Sequence, residues 1–304
     1  MNIGIIGLGR MGSAIAYRLL QKGFTVFGYD PHVAKQNLPV ELVITNSVKE
    51  LARQTQTVWL LVPAGNIVTE MVFELAGSMK SESIVIDAGN SHFNDAQRHA
   101  EVLAKKNITF IDCGTSGGVH GKENGFCLMI GGEKQIYDTL KPQLDAIAAH
   151  AGHAYVGPTG AGHLVKMVHN GIEYGIMQAY AEGLHLLHEQ TVANHKLDLA
   201  QITDLWQHGS VIRSWLLELT HTALTKHGQT LENISGVVES NGMGKWTVQE
   251  AEKSSVPVPV IKTALTLRYD SVKTGGNYAS KLVALMRNQF GGHRFFSKDE
   301  HENH

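Results

Sequence analysis

The chain has 304 residues, 43% of them hydrophobic and 18% charged, which is material for the cores of about two domains. A formal charge of −2 leaves no basic excess for nucleic acid or an anionic membrane, so an anionic ligand must be held by a few placed cations. The two cysteines, Cys113 and Cys127, match no zinc or redox spacing, and the 17 histidines form no HExxH motif, so no metal site is indicated.

Asn2–Ile6 is a short β-rich run leading into Gly7-Leu8-Gly9-Arg10-Met11-Gly12. Ser13–Gln21 follows with Ala14, Ile15, Ala16, Leu19 and Leu20 at helical spacing and Gly23 as its stop; Thr25–Asp30 is a second strand. A lone GxGxxG is weak evidence. Inside a strand–turn–helix–strand unit, with an acid ending the second strand, it is a dinucleotide-binding fingerprint. Gly7 allows the tight turn, Gly9 lets the backbone approach a pyrophosphate, and Gly12 lets helix pack on strand, while the helix N-terminus offers amide donors and a positive dipole. Asp30 would accept the adenosine ribose hydroxyls and repel a 2′-phosphate, which favours NAD; Arg10 leaves NADP as a weaker alternative.

The alternation continues. Val40–Thr45 and Thr57–Val62 are predicted strands around a helix at Ser47–Gln54, and Val62 and Pro63 close the fourth strand, where nicotinamide-side loops sit. After a helix at Ile67–Met79, strand Ser83–Asp87 runs into Asp87-Ala88-Gly89-Asn90-Ser91. Next come a helix at Asn94–Lys106, a strand at Thr109–Asp112 and the segment Gly114-Thr-Ser116-Gly117-Gly118. Phe126–Ile130 and His153–Val156 are further strands around a helix at Glu133–Ala149. This pattern predicts an α/β domain over residues 1–157, a Rossmann-type, doubly wound, mostly parallel sheet with helices on both faces. Both cysteines fall in apolar strand-like runs and are expected to be buried thiols. Asn90-Ser91 and Ser116-Gly117-Gly118 offer amide, hydroxyl and bare N–H donors, although turn chemistry alone accounts for the same residue types.

From Gly157 the strand signals stop, and residues 158–304 are predicted to be an all-helical domain: Ala161–Gln190, Leu199–His208, Val211–Lys226, Thr247–Ser254, Val258–Lys273 and Asn277–Gln289. On the first of these helices Lys166, His169, Asn170 and Glu173 fall at i, i+3, i+4 and i+7, on one face. The other side is apolar or small: Leu164, Val165, Val168, Gly171, Ile172 and Gly175. Spacing alone leaves a solvated polar face open, but glycines among the polar residues point to close approach by another backbone or a ligand. The helix is expected to leave the first domain directly, with a cleft along its polar face. Lys245 and Thr247 at the glycine-rich start of a later helix suit either an anion site or a plain cap. Arg268 lies in an otherwise apolar helix, where a buried guanidinium needs a partner. The tail Phe296–His304 is charged and His-rich, an expected disordered end. No signal peptide precedes the first strand and no apolar run reaches the ~18 residues of a membrane span, so a cytoplasmic protein is expected.

The segment GAGHLVKMVHNGIEYGIMQ (Gly160–Gln178) closely resembles the active-site helix of the 6-phosphogluconate dehydrogenases. DAGNS resembles the family's DGGNS, with Ala88 in place of a glycine, and TSGG resembles its serine-glycine-glycine loop. Arg287-Asn-Gln-Phe-Gly-Gly-His293 resembles the terminal arginine–glycine–histidine segment, which in long family members reaches a neighbouring subunit's active site. The resemblance implies substrate contacts at Asn90, Ser116, Gly117 and Gly118. It also implies a sugar-phosphate grip by Tyr174, Lys245, Thr247, Arg268 and Arg287, with His293 nearby. The chain stops before the second helix set of long members and looks like the short, bacterial-type, NAD-dependent form, expected as a homodimer or homotetramer. The implied reaction is oxidative decarboxylation of the sugar phosphate acid 6-phosphogluconate. In it Lys166 is the base at the C3 hydroxyl, Glu173 the later proton donor, and His169 and Asn170 orient the substrate. Desolvation in a closed cleft would favour the neutral amine a lysine base needs. A β-hydroxyacid dehydrogenase, of 3-hydroxyisobutyrate or tartronate semialdehyde type, is the alternative. It would share the glycine loops and the lysine–asparagine pair but need neither Glu173 nor the cations at Lys245, Arg268 and Arg287. A non-catalytic NAD-binding sensor would have no use for Lys166 and Glu173.

Overall fold

Asn2–Ile6 forms β1, and its side chains alternate: Ile3 and Ile5 enter one hydrophobic core, Ile6 the other. A strand buried on both faces is apolar almost throughout, the condition of a parallel sheet covered by helices. The computed structural model describes residues 2–32, 38–240 and 242–298. Around β1 stand β2 (Thr25–Tyr29), β3 (Val43–Ile44), β4 (Thr57–Leu60), β5 (Ile84–Asp87), β6 (Thr109–Ser116), β7 (Phe126–Gly131) and β8 (Ala148–Gly157). Their order is β3-β2-β1-β4-β5-β6-β7-β8, and every pair is parallel except β6 with β7. The chain order reverses between β1 and β4, so their carboxyl ends, at Gly7 and Leu61, form the switch point where such sheets bind ligands.

The sheet is covered by α1 (Arg10–Gln21), α2 (Val48–Gln54), α3 (Asn66–Ala76), α4 (Phe93–Ala104), the single turn α5 (Gly121–Asn124) and α6 (Lys134–Ile147). Ile15, Leu19, Leu140 and Leu144 fill one face; Leu51, Val72 and Leu103 fill the other. Three strands depart from expectation. β8 starts at Ala148 rather than His153. β3 keeps only Val43 and Ile44, because Val40 is 97% exposed and has no core to face. β6 runs on to Ser116, because Asp112–Ser116 pairs antiparallel with Cys127–Gly131. That pairing also corrects the reading of the cysteines: Cys113 is buried, but Cys127 is exposed, since alternation along β7 turns it outward.

The chain divides into two compact units, Met1–Met167 and Val168–His304, whose boundary falls inside the long helix α7 (Ala161–Glu189). In the second unit Met177, Ala181 and Leu184 of α7 pack with α8 (Leu199–Leu205), α9 (Trp215–His227), α10 (Met243–Lys253), α11 (Pro259–Thr274) and α12 (Tyr278–Gly291). Asp198, Ser214 and Asn277 cap their helices, Asn277 in a capping box with Ser280. This unit is not purely helical: β9 (Thr191–Val192) and β10 (His195–Lys196) make a small hairpin turned by Ala193 and Asn194, both at positive φ. The start of the tail is ordered too. Ser235 N–H donates to Phe296 O (2.9 Å) and Lys298 N–H to Asn233 O (3.1 Å), which corrects the expectation of disorder there; residues 299–304 lie outside the described residues. Among the described residues no helix is long and apolar enough to cross a membrane.

Candidate active site

The glycine loop after β1 has a different reason at each glycine. Gly7 sits at φ +92°, and a Cβ there would lie 2.5 Å from Leu61 O. A Cβ at Gly12 would collide with Gly7 O. At Gly9 a Cβ would meet no protein atom within 4 Å, so packing does not demand glycine; room for a ligand backbone or phosphate does. No side chain caps α1 and no acid sits in its first turn, so nothing there opposes an anion at its positive end. Asp30 takes Leu8 N–H on Oδ2 (2.8 Å) and His32 N–H on Oδ1 (2.9 Å). The carboxylate therefore ties the glycine loop to the strand end, and each oxygen keeps acceptor capacity for a ribose hydroxyl. Arg10 is exposed and Met11 half-buried in the first turn, while Val62 and Pro63 follow β4. These features fit a dinucleotide.

A second group of glycines seats Lys166. α7 begins against β6, where buried Asp112 accepts Gly160 N–H on Oδ1 (2.6 Å) and His163 N–H on Oδ2 (2.8 Å). This is a helix cap supplied from a distant strand. A Cβ on Gly114 would stand 2.5 Å from both Gly162 O and Lys166 Cβ, and one on Gly131 would stand 2.6 Å from Gly162 N. Backbone therefore lies on backbone, and Lys166 is buried (7% exposed) against the strand that ends in Ser116. Gly117 (φ +129°) and Gly118 (φ +55°) then turn the chain sharply. After β5, Asn90 is exposed, whereas Ser91 is buried beside Asp87 and so presents no donor outward.

In the helical unit His169, Asn170, Glu173 and Tyr174 follow on α7. His169 Nδ1 lies 3.1 Å from Asn170 Oδ1 and 3.9 Å from Glu173 Oε2, so the ring bridges amide and carboxylate. Asn170 is buried and Glu173 half-buried. The glycines between them serve helix packing: a Cβ at Gly171 would strike Thr247 of α10, and one at Gly244 would strike the Tyr174 ring. Thr247 is buried with its hydroxyl donating to Met243 O (3.0 Å), whereas Lys245 is exposed on the first turn of α10. The Arg268 guanidinium lies over the Tyr174 ring, 3.3 Å from its centroid, which is the partner its burial required. Burial lowers the Arg268 pKa to about 10; Tyr174 and Glu173 oppose that fall, and nearby Arg287 adds to it.

Arg287 is 5% exposed on α12 of the helical unit. Burial lowers its pKa, and its own chain's Tyr174, Glu239 and Glu173 hold it up. His293 folds back on the same helix, with Asn288 Nδ2–H donating to its carbonyl (2.8 Å). Glu173, Tyr174, Arg268 and Arg287 thus form one electrostatic group, with Thr247 alongside. Sequence reading missed the Asp112 cap and the contact of His163 with Asp87, for which two acids ending neighbouring strands were the available signal.

The profile of the NAD binding domain of 6-phosphogluconate dehydrogenase matches residues 2–157, and that of the 6-phosphogluconate dehydrogenase C-terminal domain matches residues 162–281. A Haloferax volcanii protein named as an NAD(+)-dependent, decarboxylating 6-phosphogluconate dehydrogenase is 40% identical over 313 residues, covering 99% of this chain and 100% of that one. The solved 6-phosphogluconate dehydrogenase of Plasmodium falciparum superposes with a TM-score of 0.78 at 30% identity, over 90% of this chain and 62% of that one. A Salmonella typhimurium 3-hydroxyisobutyrate dehydrogenase gives 0.75 at 25% identity, over 93% and 99%. The chain is an oxidoreductase with an NAD-binding domain followed by a helical domain. The chain belongs to the 6-phosphogluconate dehydrogenase family.

Proposed function

We propose that the chain catalyses the NAD-dependent oxidative decarboxylation of 6-phosphogluconate to ribulose 5-phosphate and CO2. The observation that carries this is the inversion of α7. Lys166 and Asn170 are buried and His169 and Glu173 half-buried, while the exposed stripe is aliphatic. A helix does not bury an amine, an imidazole, an amide and a carboxyl for packing alone. Neutral Lys166 takes the proton of the C3 hydroxyl. Bound NAD supplies the hydride acceptor for C3, and Gly7–Gly12 with Asp30 hold it. Lys166, now protonated, donates to the C3 carbonyl oxygen, where charge collects as the carboxylate leaves as CO2. Glu173 then gives a proton to the carbon that becomes C1 of the ketose, while Lys166 takes back the enol hydroxyl proton so that the carbonyl forms. Asn170 and His169 orient the substrate, with Asn90 and Ser116–Gly118 contributing donors. Arg268, Arg287, Lys245, Tyr174 and Thr247 supply the cationic and hydroxyl groups for the phosphate end, with His293 nearby. The β-hydroxyacid dehydrogenase alternative gives no reason for Glu173 beside two buried arginines. NADH formation with 6-phosphogluconate, set against 3-hydroxyisobutyrate, tests the reading; reduction of NAD by the latter alone would sink it.

Asp30 sets the cofactor preference in this proposal. Asp30→Ser is expected to narrow the NAD over NADP ratio of kcat/KM by roughly tenfold or more, the scale of a lost hydrogen bond to a charged group. Because Asp30 also holds Leu8 and His32 N–H, part of that change falls on NAD itself. A wild-type preference for NADP would remove the assignment.

Self-association and a cytoplasmic location belong to the same proposal. Val165, Val168, Ile172 and Ile176 stand 39–51% exposed at helical spacing along α7, a continuous aliphatic stripe that suits a second copy of this chain in a homodimer or homotetramer. Sedimentation should find a dimer or larger, and Ile172→Lys with Ile176→Lys should shift it toward monomer. A monomeric wild-type enzyme would refute the assignment.

A further inference from the structure

Asp87, at the carboxyl end of β5, and Asp112, in the middle of β6, stand in register on neighbouring strands, 1% and 0% exposed. His163, from the first turn of α7, meets both. Its N–H donates to Asp112 Oδ2, and its ring Nε2 lies 3.3 Å from Asp87 Oδ2, each side chain 1% exposed. That ring contact is one of charges rather than of an aligned hydrogen bond. Among the described residues Asp87 Oδ2, His163 Nε2, Ser91 Oγ and His99 Nδ1 make no hydrogen bond. A buried ion pair so sparsely satisfied is weak support for a fold, and an apolar pair would pack as well. Its retention calls for another reason.

Around the ring, β5 and its loop bring Asp87 and Ser91; β6 brings Asp112; α4 brings Asp95, Arg98 and His99; α3 brings Thr69, which lies 3.1 Å from His99 Nε2. Burial draws His163 down, but Asp87, Asp112 and Asp95 outweigh it and raise the ring above an ordinary histidine. Burial pushes Asp87 up, and the His163 charge returns it below an ordinary carboxyl. Burial also lowers His99, which leaves it the neutral member of the group. His163 precedes Lys166 by three residues on one helix, a spacing that sets their Cβ atoms about 5–6 Å apart.

We propose that His163 is a positioning residue for the reaction: its buried imidazolium offsets the carboxylates of Asp87 and Asp112 beneath the first turn of α7, so that Lys166 can hold a neutral amine. Without that charge Lys166 stands one turn from two carboxyl groups faced only by backbone N–H donors, and the negative charge they keep stabilises its ammonium form. The inference rests on Lys166 as the base.

The test is kcat/KM for 6-phosphogluconate as a function of pH, with saturating NAD, in full-length wild type, His163→Gln and Asp87→Asn/His163→Gln. In His163→Gln the ascending limb should move up by about one pH unit, a roughly tenfold loss on that limb that is recovered at higher pH. In the double variant, where a neutral pair replaces the ionic one, the limb should return toward wild type. A folded, NAD-binding His163→Gln whose loss is the same at every pH, or whose limb does not move, overturns the inference. If that single variant does not fold, NMR titration of the His163 ring in the wild type decides: a ring already neutral at pH 6 overturns the inference, and one still protonated at pH 7 supports it. Lys166→Met separates the two levels. Retained activity there removes the base and this inference together, whereas an inactive Lys166→Met beside an unshifted His163→Gln removes only the inference.

Discussion

Lys166→Met is expected to lose both NADH and CO2 formation, while Glu173→Gln still oxidises substrate and stalls afterwards. General acid–base contributions of about 10²–10⁴-fold set the size of each loss. Without a base no keto acid forms, so the first variant never reaches decarboxylation. Glutamine keeps the size and hydrogen-bonding capacity of Glu173, and so the 3.9 Å neighbourhood of His169 need not change, but it cannot readily give up a proton. The probe is the kinetic isotope effect from deuterium at C3, measured together with the solvent deuterium effect. In Glu173→Gln the C3 effect should shrink as the later protonation becomes limiting. An undiminished C3 effect in both variants would mean that the two residues share one role.

Gly114→Ala is the second change with a large expected effect, although it alters no polar group. The added methyl would lie 2.5 Å from Gly162 O and from Lys166 Cβ, closer than real Cβ contacts come, and the carbonyl cannot swing aside as a flexible side chain would. Overpacking of this kind costs about 1–3 kcal/mol. The relief open to the protein is to lift the first turn of α7 off β6, which stretches the Asp112 bonds to Gly160 and His163 and displaces Lys166. Thermal unfolding should come several degrees lower, and kcat should fall more than substrate binding weakens. Wild-type stability and turnover in Gly114→Ala would show that the helix start has slack. Gly9→Ala is the matched contrast: it should leave the apo protein's melting temperature nearly unchanged, because its Cβ meets no protein atom.

Much of this was legible in the sequence because it is written in local patterns. Buried strands are continuous apolar runs, α1 follows its glycines, and Asp30 closes β2. The face of α7 could be read from spacing because helical geometry converts sequence interval into direction. What could not be read depends on partners far along the chain. β6 looked finished at Asp112, since Gly-Thr-Ser resembles a loop until β7 arrives to pair with it. Asp112 could be seen as a strand end but not as the cap of a helix 48 residues away. The hairpin at Thr191–Lys196 is too short to show periodicity, and its turn uses Ala193 and Asn194 without a glycine. The resemblance could match the Arg287 segment but not its burial, which is decided by how α12 packs in its own unit.

The unbroken course of α7 carries a further consequence for how this protein can vary. Lys166 and Glu173 are separated by two turns with no proline between them, so the rise of the helix fixes their interval at about 10 Å. No loop intervenes to absorb a change of length. Deleting one residue between them would turn everything beyond by about 100°, carrying Glu173 into the place of exposed Ile172 and Tyr174 into the place of Glu173. Each side chain could be individually correct and the enzyme still be silent. Between these two residues the chain has a reading frame, tolerant of many substitutions on its aliphatic side and of no insertion or deletion at all.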